Sequence, residues 1–327
     1  MKKKVLKALT EARDGYLSGQ ALCDALAVSR TAVWKVINQL KEEGYQIESV
    51  PHRGYRILKR PDVVTAEEIG SRLQTETIGR QVVFYDVIDS TNNEAKRLAE
   101  TGAADGTLVV TELQEHGKGR RGRGWVTPAK ASIMMSLVLR PQIRPEHASS
   151  VTLVMGLAVA EACREFCKVD ARIKWPNDVV VDGRKICGIL TELSSEVDYI
   201  NYLVIGTGIN ANLTELPLEI AATATSLTLQ TGMKIDRAGL IAACLERFET
   251  YYRKFLQTED VSLLLLQYNA LLAGKEGRVC VLEPGKEYIG TSHGINERGE
   301  LLVEREDGTI ERVYAGEVSV RGIYGYV

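Results

Sequence analysis

The most constraining feature of this 327-residue chain is a short loop rich in glycine and cationic residues. From Gly117 to Trp125 the chain has four glycines and four lysine or arginine residues within nine positions. Glycine lets backbone amides approach anionic oxygens, and arginine carries a planar guanidinium that stays charged. We therefore expect this loop to wrap around a ligand that bears phosphate. The pattern alone leaves one alternative open, an exposed and solvated basic loop.

The spacing of Gly117, Gly119 and Gly122 also matches a dinucleotide-binding fingerprint, but its context does not fit. That fingerprint opens a helix and is followed about 20 residues later by an acidic residue. Here the next residues are poor helix formers, and no Asp or Glu occurs between Trp125 and Pro145. The chain also lacks the Gly-Lys-Ser/Thr of a Walker A loop and the companion motifs of protein kinases. These nucleotide-binding classes are excluded.

The composition is that of a globular chain, with 45% hydrophobic and 26% charged residues. No apolar run approaches the about 20 residues that cross a bilayer, and the N-terminal residues lack the apolar core of a signal peptide. The cysteines contain no Cys-x-x-Cys pair and stand at positions 23, 163, 167, 187, 244 and 280. We expect reduced thiols, no cysteine metal site, a cytoplasmic location and no membrane partner.

Charge is distributed unevenly along the chain. Residues 1–60 carry twelve Lys or Arg against six Asp or Glu, a net of +6, whereas the remainder has a net of −8. A basic head on an acidic body indicates that only the head meets a polyanion.

Within this head, helices are expected over residues 3–12, 18–26 and 30–43, with Ser18 and Ser29 as N-caps and Gly44 as the final stop. Residues 45–58 read as a β-hairpin wing. The pattern predicts a winged helix-turn-helix that binds double-stranded DNA; a protein-packing domain is the alternative. The candidate DNA-contacting residues, on the third helix and the wing tip, are Ser29, Arg30, Thr31, Trp34, Lys35, His52 and Arg53.

Between about residues 65 and 270 strands and helices mix. Strands are expected over residues 81–87, 107–113 and 132–139, and residues 201–212 are expected to form a strand that runs into a glycine-rich turn. Helices are expected over 91–101, 147–167, 236–255 and 261–272. Asp182-Gly183 predicts a type I′ turn that joins the strands of a hairpin over residues 179–192. From residue 275 onward, short strands over 277–282, 288–291, 301–304, 309–313 and 318–321, with turns at 283–285, 296–299 and 307–308, favour a small β-barrel.

Two polar features of the central region each have a purely structural and a functional interpretation. Thr91-x-x-Glu94 has the pattern of a helix capping box, but Ser90, Thr91 and Asn92 could equally point into a pocket. Lys185, at the start of the second hairpin strand, is either a solvated lysine or a ligand-facing cation. Gly188 lies within that strand, where glycine often marks the close approach of a ligand.

Taken together in this order, five motifs resemble those of the bacterial bifunctional biotin–protein ligases that also repress the biotin operon. They are Ser90-Thr91-Asn92, Gln114 with the Gly117–Gly122 loop, Lys174-Trp-Pro-Asn-Asp178, Arg184-Lys185-x-x-Gly188-Ile-Leu and Gly206-x-Gly208-Ile-Asn210. The resemblance covers essentially the whole chain. It implies a multidomain α+β protein with a winged helix-turn-helix at 1–62, a mixed α/β catalytic domain like a class II synthetase at 65–272, and an SH3-like β-barrel at 275–327.

The resemblance also assigns site residues. The biotin-binding positions would be Ser90, Thr91, Asn92, Gln114, Lys118, Gly119, Arg120, Lys185 and Gly188. The nucleotide-binding positions would be Arg120, Arg121, Arg123, Trp125, Asn177, Asp178 and Asn210. Lys185 and Arg120 would be catalytic, Asp178 would bind Mg²⁺, and Trp125 would pack against adenine. One position departs from the family: Lys118 stands where an arginine is often found, so the charge is kept and the bidentate fork is lost.

The implied activity has two steps, formation of biotinoyl-5′-AMP from biotin and ATP, and transfer of biotin to a lysine of a carrier domain such as that of acetyl-CoA carboxylase. The implied regulation is repression of biotin genes by an adenylate-bound homodimer on operator DNA. Two alternatives stay open at this point. One is a DNA-binding biotin sensor without catalysis, and the other is a lipoate or octanoate transferase with a similar central fold.

Overall fold

The computed structural model describes residues 1–12, 15–125, 127–282, 287–315, 319–322 and 326–327. The basic head forms the expected winged helix-turn-helix, with Ser18 and Ser29 accepting hydrogen bonds from the first turns of the second and third helices. Its buried apolar side chains form a cluster of their own around Leu22, Ile37 and Leu40. The elements are α1 (Lys2–Glu11), α2 (Gly19–Leu26), α3 (Arg30–Glu42), β1 (Gln46–Val50) and β2 (Gly54–Lys59).

The central region is built on a seven-stranded mixed sheet, in the order β3-β4-β5-β9-β8-β7-β6. Only β3 and β4 pair in parallel, and every other neighbouring pair is antiparallel. The strands are β3 (Val82–Ile88), β4 (Thr107–Gln114), β5 (Ile133–Leu139), β6 (Arg172–Lys174), β7 (Asp178–Val181), β8 (Arg184–Ser195) and β9 (Ile200–Ile209).

Helices cover both faces of this sheet. Because strand side chains alternate between faces, Val109 packs against the helix that carries Ala95, whereas Leu108 and Val110 face the larger core on the other side. Met155 and Phe248, on the two long helices, are fully buried in that larger core. The helices are α4 (Ala66–Arg72), α5 (Thr91–Glu100), α6 (Ser150–Cys167), α7 (Leu218–Ala221), α8 (Leu227–Thr231), α9 (Arg237–Thr258) and α10 (Leu265–Leu271).

The C-terminal region forms a five-stranded antiparallel sheet in the order β13-β12-β11-β10-β14. Its apolar face continues the larger core of the central region, and Trp175 Nε1 donates to the carbonyl of Gly299 at 3.0 Å. The two outer strands are not paired with each other in the part of the chain that the structure describes. The strands are β10 (Arg278–Leu282), β11 (Tyr288–Ile295), β12 (Leu301–Glu304), β13 (Ile310–Val313) and β14 (Ser319–Gly322).

Several local predictions are corrected. The N-cap of α5 is Ser90, and Thr91 is its first helical residue, because the Thr91 hydroxyl bonds to Gln114 rather than to the helix end. Helix α6 starts at Ser150, after a separate 3₁₀ turn over Pro145–His147. The helix expected over 261–272 is a 3₁₀ turn followed by the shorter α10.

Other elements went unpredicted or cannot be compared. The short helices α4, α7 and α8 have too few apolar repeats to be recognised from the sequence. The turn expected at 283–285 and the first residue of the strand expected at 318–321 lie outside the described residues.

The hairpin predicted around Asp182-Gly183 is confirmed. Both residues have positive φ, 48° and 69°, as a type I′ turn requires, and Val181 pairs with Arg184 across it. This hairpin places Lys185 next to β7, which carries Asp178, so the two charged side chains lie on adjacent strands.

Among the described residues, no helix is both long and apolar enough to cross a membrane.

Candidate active site

One pocket brings together all nine residues that the resemblance assigns to biotin. Its cavity is narrow in this structure, with a volume of about 50 Å³. Its walls come from separate segments: the start of α5, the end of β4, the glycine-arginine loop, β8 and β9. The sheet therefore gathers motifs that lie as far apart as residues 90 and 208.

The polar end of the pocket is a hydrogen-bonded network around Thr91 and Asn92. Gln114 Oε1 accepts from both the backbone N–H and the hydroxyl of Thr91, at 2.8 and 3.0 Å. The Ser136 hydroxyl lies 2.6 Å from Asn92 Oδ1, and Asn92 Nδ2 donates to Glu192 Oε2 at 2.7 Å. These bonds fix the orientation of the Asn92 amide, so this end presents preset donors and acceptors to a ligand.

Glu192 closes this network with a charge. Its other carboxylate oxygen accepts from Lys96 Nζ at 2.7 Å. Burial acts to raise the pKa of Glu192, but the hydrogen bonds from Lys96 and Asn92 outweigh it and hold the pKa below its usual value. The charged carboxylate of Glu192 therefore holds the Nδ2 atom of Asn92, whereas Ser136 contacts the Oδ1 atom.

The floor of the pocket is made of glycines on two adjacent strands. A Cβ at Gly206 would lie 2.1 Å from Asn92 Oδ1, and one at Gly208 would lie 2.7 Å from Cε2 of Trp125. At Gly188 a Cβ would meet Lys185 Nζ at 2.9 Å and Trp125 Cζ3 at 3.1 Å. In this structure the side chains of Lys185 and Trp125 lie close to Gly188; close approach of a ligand at this position stays a prediction. Glycine is needed here because any side chain would fill the pocket.

The charged end of the pocket is centred on Asp178. Lys185 Nζ lies 2.7 Å from Asp178 Oδ1 and 5.6 Å from the centre of the Trp125 ring. Arg120 donates to Asn177 Oδ1 at 2.7 Å and to the carbonyl of Ala315 at 3.0 Å. Of the two predicted catalytic cations, Lys185 therefore pairs with Asp178, and Arg120 binds the adjacent Asn177.

Burial perturbs the cations in this region. Desolvation lowers the pKa of Arg120, although Asp178 opposes the shift. Desolvation also lowers the pKa of the neighbouring Lys174 to about 8, again against the attraction of Asp178. Both side chains are held where a negatively charged ligand would be strongly favoured, because little solvent screens them.

A second, larger cleft adjoins the charged end and contains all seven predicted nucleotide-binding residues. Arg121 and Arg123 are exposed on its rim, and Arg121 has a positive φ of 56°. Asn210 is buried and its amide donates to the carbonyl of Thr225 at 3.0 Å, so it also supports the cleft wall. Lys118 faces away from this cleft and donates to Asn93 Oδ1 at 3.0 Å.

The carboxylate of Asp178 suits a divalent cation that arrives with a nucleotide. Magnesium usually keeps several waters and binds through one or two carboxylates plus substrate phosphates. Within the described residues no group of three or more His, Cys, Asp or Glu side chains could hold a metal ion. The single carboxylate of Asp178 therefore fits a cation that is also bound by the phosphates of a ligand.

Sequence reasoning missed several residues that shape the site. Ser136 and Glu192 bond to Asn92, but the sequence around each of them predicts only a β-strand and not a binding site. Thr207 lines the pocket, and its buried hydroxyl has no hydrogen-bond partner among the described residues; its position between Gly206 and Gly208 was the available signal.

The candidate DNA-contacting residues all lie on one basic part of the head. On α3, Arg30, Thr31, Trp34 and Lys35 are exposed, with Trp34 58% accessible. Ser29 is the N-cap of this helix and accepts from the backbone of Ala32.

The wing tip is held in shape by packing against Tyr16 and Leu17, in the segment between α1 and α2. Gly54 has φ +111°, and a Cβ there would lie 2.1 Å from the carbonyl oxygen of Leu17. His52 has φ +62°, and the Arg53 guanidinium lies 4.9 Å from the ring centre of Tyr16. The wing therefore presents its two exposed polar residues at a fixed turn, as phosphate contact requires.

Comparisons with known proteins agree with this organisation. Family models match residues 2–56 (HTH domain), 84–210 (Biotin/lipoate A/B protein ligase family) and 276–321 (Biotin protein ligase C terminal domain). The bifunctional ligase/repressor BirA of Bacillus subtilis is 38% identical over 98% of both chains. The BirA protein of Escherichia coli is 32% identical over 94% of this chain and 93% of that protein.

A solved structure supports the fold over about three quarters of the chain. The biotin protein ligase from Aquifex aeolicus, in complex with biotin and ATP, superimposes with a TM-score of 0.65 at 30% identity. The match covers 74% of this chain and 99% of that one.

Proposed function

Because the chain belongs to the bifunctional ligase/repressor family, we propose that it activates biotin with ATP and transfers biotin to a lysine of a carrier protein. The observation that carries the proposal is that the biotin pocket and the nucleotide cleft adjoin each other at the Lys185–Asp178 ion pair. A pocket with a hydrogen-bonded polar network at one end opens, at its other end beside Lys185 and Asp178, into a cleft rich in arginine. This arrangement suits an acid whose carboxylate must meet the α-phosphate of ATP.

In the first step, a biotin carboxylate oxygen attacks the α-phosphorus and the bond to the β-phosphate oxygen breaks, which releases pyrophosphate. Negative charge builds on the α-phosphate oxygens, and Lys185 and Arg120 are placed to stabilise it without moving far. A magnesium ion carried by ATP, held through Asp178, would neutralise further phosphate charge. The product is biotinoyl-5′-AMP, a mixed anhydride.

In the second step, the amine of an acceptor lysine attacks the acyl carbon of the anhydride and AMP leaves. The protein itself needs no nucleophile. Its contribution is to hold the anhydride between the polar network at Asn92 and the cleft at Asp178, and to keep water away by means of the loop around Arg120. The acceptor is a biotin carboxyl carrier protein or a similar carrier domain.

The decisive experiment is ATP–pyrophosphate exchange in the presence of biotin, with lipoate and octanoate as parallel substrates. Exchange that requires biotin is the expected result. Exchange with lipoate or octanoate instead would move the chain to acyl ligases of the neighbouring type. The absence of exchange with any of the three acids, from protein that binds biotin, would leave a DNA-binding sensor.

We further propose that the protein represses transcription as a homodimer whose assembly depends on biotinoyl-5′-AMP. Support comes from the basic head with its exposed helix α3, and from the HTH match over residues 2–56. A two-fold dimer would place two such helices on successive major-groove faces of operator DNA. Repression would then follow the supply of biotin.

Binding of the protein to operator DNA should tighten at least about tenfold when biotin and ATP are both supplied, as expected when a ligand stabilises the binding-competent dimer. The measurement is fluorescence anisotropy with labelled promoter DNA, run with biotin alone, ATP alone, both and neither. The variant Arg30→Ala should weaken binding in all four conditions and leave biotin-dependent exchange intact. Equal affinity with and without the two ligands would rule out the regulatory proposal.

The proposed division of labour is by region: residues 1–62 for DNA, 65–272 for catalysis and 275–327 for completion of the nucleotide cleft. All six cysteines are free thiols, five of them buried, which suits the reducing cytoplasm that we propose as the location.

A further inference from the structure

The penultimate residue of the chain lies in the nucleotide cleft. Tyr326 lines that cleft together with Asp178 and Arg121, although it belongs to the C-terminal region. Neither the sequence motifs nor the proposed mechanism assigns it a role.

The contacts of Tyr326 are with the two charged residues that begin and end the Lys174–Asp178 motif. Its hydroxyl donates to Asp178 Oδ2, while Lys185 occupies Oδ1 at 2.7 Å. The face of its ring lies 4.1 Å from Lys174 Nζ. One side chain therefore orients the carboxylate and supports the cation at the same time.

The residue that follows Tyr326 contacts strand β14. Strand β14 pairs with β10, and a Cβ on Gly322 would lie 2.2 Å from the carbonyl carbon of Val327. Glycine at this position is what allows the terminal residue to fold back against the strand. This contact places Val327, the neighbour of Tyr326, against the C-terminal sheet.

The chemistry of these contacts favours a role with phosphate. Lys174 is buried, and burial lowers its pKa, so its charged form needs support. An aromatic face attracts an ammonium group without accepting a conventional hydrogen bond. The N–H donors of Lys174 thus stay available for anionic oxygens. On the carboxylate, the phenol fixes the direction of the free lone pairs of Asp178.

We propose that Tyr326 is a positioning residue of the nucleotide cleft, which holds Lys174 and Asp178 in the geometry that binds the phosphates of ATP. This inference rests on the proposed adenylation function. It assigns to the C-terminal region a part in ATP binding, through the contacts of Tyr326 with Lys174 and Asp178.

The test is steady-state exchange with the full-length variant Tyr326→Ala. The KM for ATP should rise about tenfold, whereas the KM for biotin should change less than about twofold, because Tyr326 lines the nucleotide cleft and not the biotin pocket. The variant Tyr326→Phe keeps the ring and loses the hydroxyl, so its KM for ATP should rise about threefold. The variant Tyr314→Ala, which removes a 66% exposed tyrosine of the same region, should match the parent protein.

A second readout does not depend on turnover. Calorimetric titration of ATP into the biotin-saturated protein in EDTA should give a weaker dissociation constant for Tyr326→Ala than for Tyr314→Ala. A parallel rise in both KM values, an unchanged KM for ATP, or tighter ATP binding by Tyr326→Ala would each overturn the inference. If the parent protein shows no biotin-dependent exchange, the adenylation proposal fails, and the calorimetric comparison still decides whether Tyr326 positions ATP.

Discussion

Replacing Lys185 with alanine is expected to lower the rate of biotin-dependent ATP–pyrophosphate exchange by about 10³-fold. The Lys185 ammonium lies between the carboxylate of Asp178 and the ring of Trp125, at the junction of the biotin pocket and the nucleotide cleft. It is one-quarter accessible, so solvent screens its charge only in part. Removal of Lys185 takes away one fixed cation that would stabilise the negative charge developing on the α-phosphate, and it removes the ion-pair partner of Asp178.

The matched control is Lys234→Ala. Lys234 is also a lysine of the central region paired with an aspartate, Asp62 at 3.4 Å, but its side chain is 72% exposed. We expect exchange by this variant to stay within about twofold of the parent protein, since exposed ion pairs contribute little. Circular dichroism should show that both variants remain folded. Exchange by Lys185→Ala within about threefold of the parent would remove Lys185 from the chemical step.

Much of this site could be predicted from the sequence because its key residues obey local rules. The Asp182-Gly183 turn fixes a hairpin, and the hairpin places Lys185 one strand away from Asp178. Gly188 in a strand signals a close approach, and the structure has Trp125 at that point. Such features depend on a few neighbouring residues, so a single sequence contains them.

The remainder depends on contacts between distant segments, which no local pattern encodes. Glu192 anchors Asn92 across 100 positions, and Tyr326 reaches Asp178 across 148. The same limit explains the misread capping box: Thr91 has a capping sequence, but Gln114 on β4 competes for its hydroxyl. Where a long-range partner is available, tertiary contacts override the local preference.

Replacement of Arg237, a residue that also makes long-range contacts, gives the largest expected loss of stability. Its side chain is fully buried at the start of α9, and it donates to Asp62 in the linker, to Glu112 on β4 and to the carbonyl of Ser132. Glu112 and Ser132 stand on either side of the segment that holds the glycine-arginine loop. Arg237 therefore fastens both ends of that segment to the linker that leads to the DNA-binding head.

The bonds of Arg237 use every N–H of the guanidinium. Nε donates to Asp62 Oδ1 at 3.0 Å, and Nη2 donates to the carbonyl of Asp62 at 3.0 Å and to Glu112 Oε1 at 3.2 Å. Nη1 donates to Glu112 Oε2 at 2.6 Å and to the Ser132 carbonyl at 3.1 Å. Burial acts to lower the pKa of Arg237, but Glu112 and Asp62 outweigh it and raise the pKa, so the guanidinium stays charged. Lysine has three donors from a single point and could not replace this geometry.

The variant Arg237→Ala should lose about 3–5 kcal/mol of unfolding free energy, because it strands the buried carboxylate of Glu112. Urea denaturation followed by tryptophan fluorescence, in a Trp34→Phe background, would report on Trp125 and Trp175 in the central region. The double variant Arg237→Ala with Glu112→Gln should recover part of the loss, since the uncompensated charge is removed. Arg253→Ala, at an arginine that is 48% exposed and paired with Glu76 and Glu249, should cost less than about 1 kcal/mol. Equal losses for Arg237→Ala and Arg253→Ala would show that the buried cluster does not hold the loop segment and the linker together.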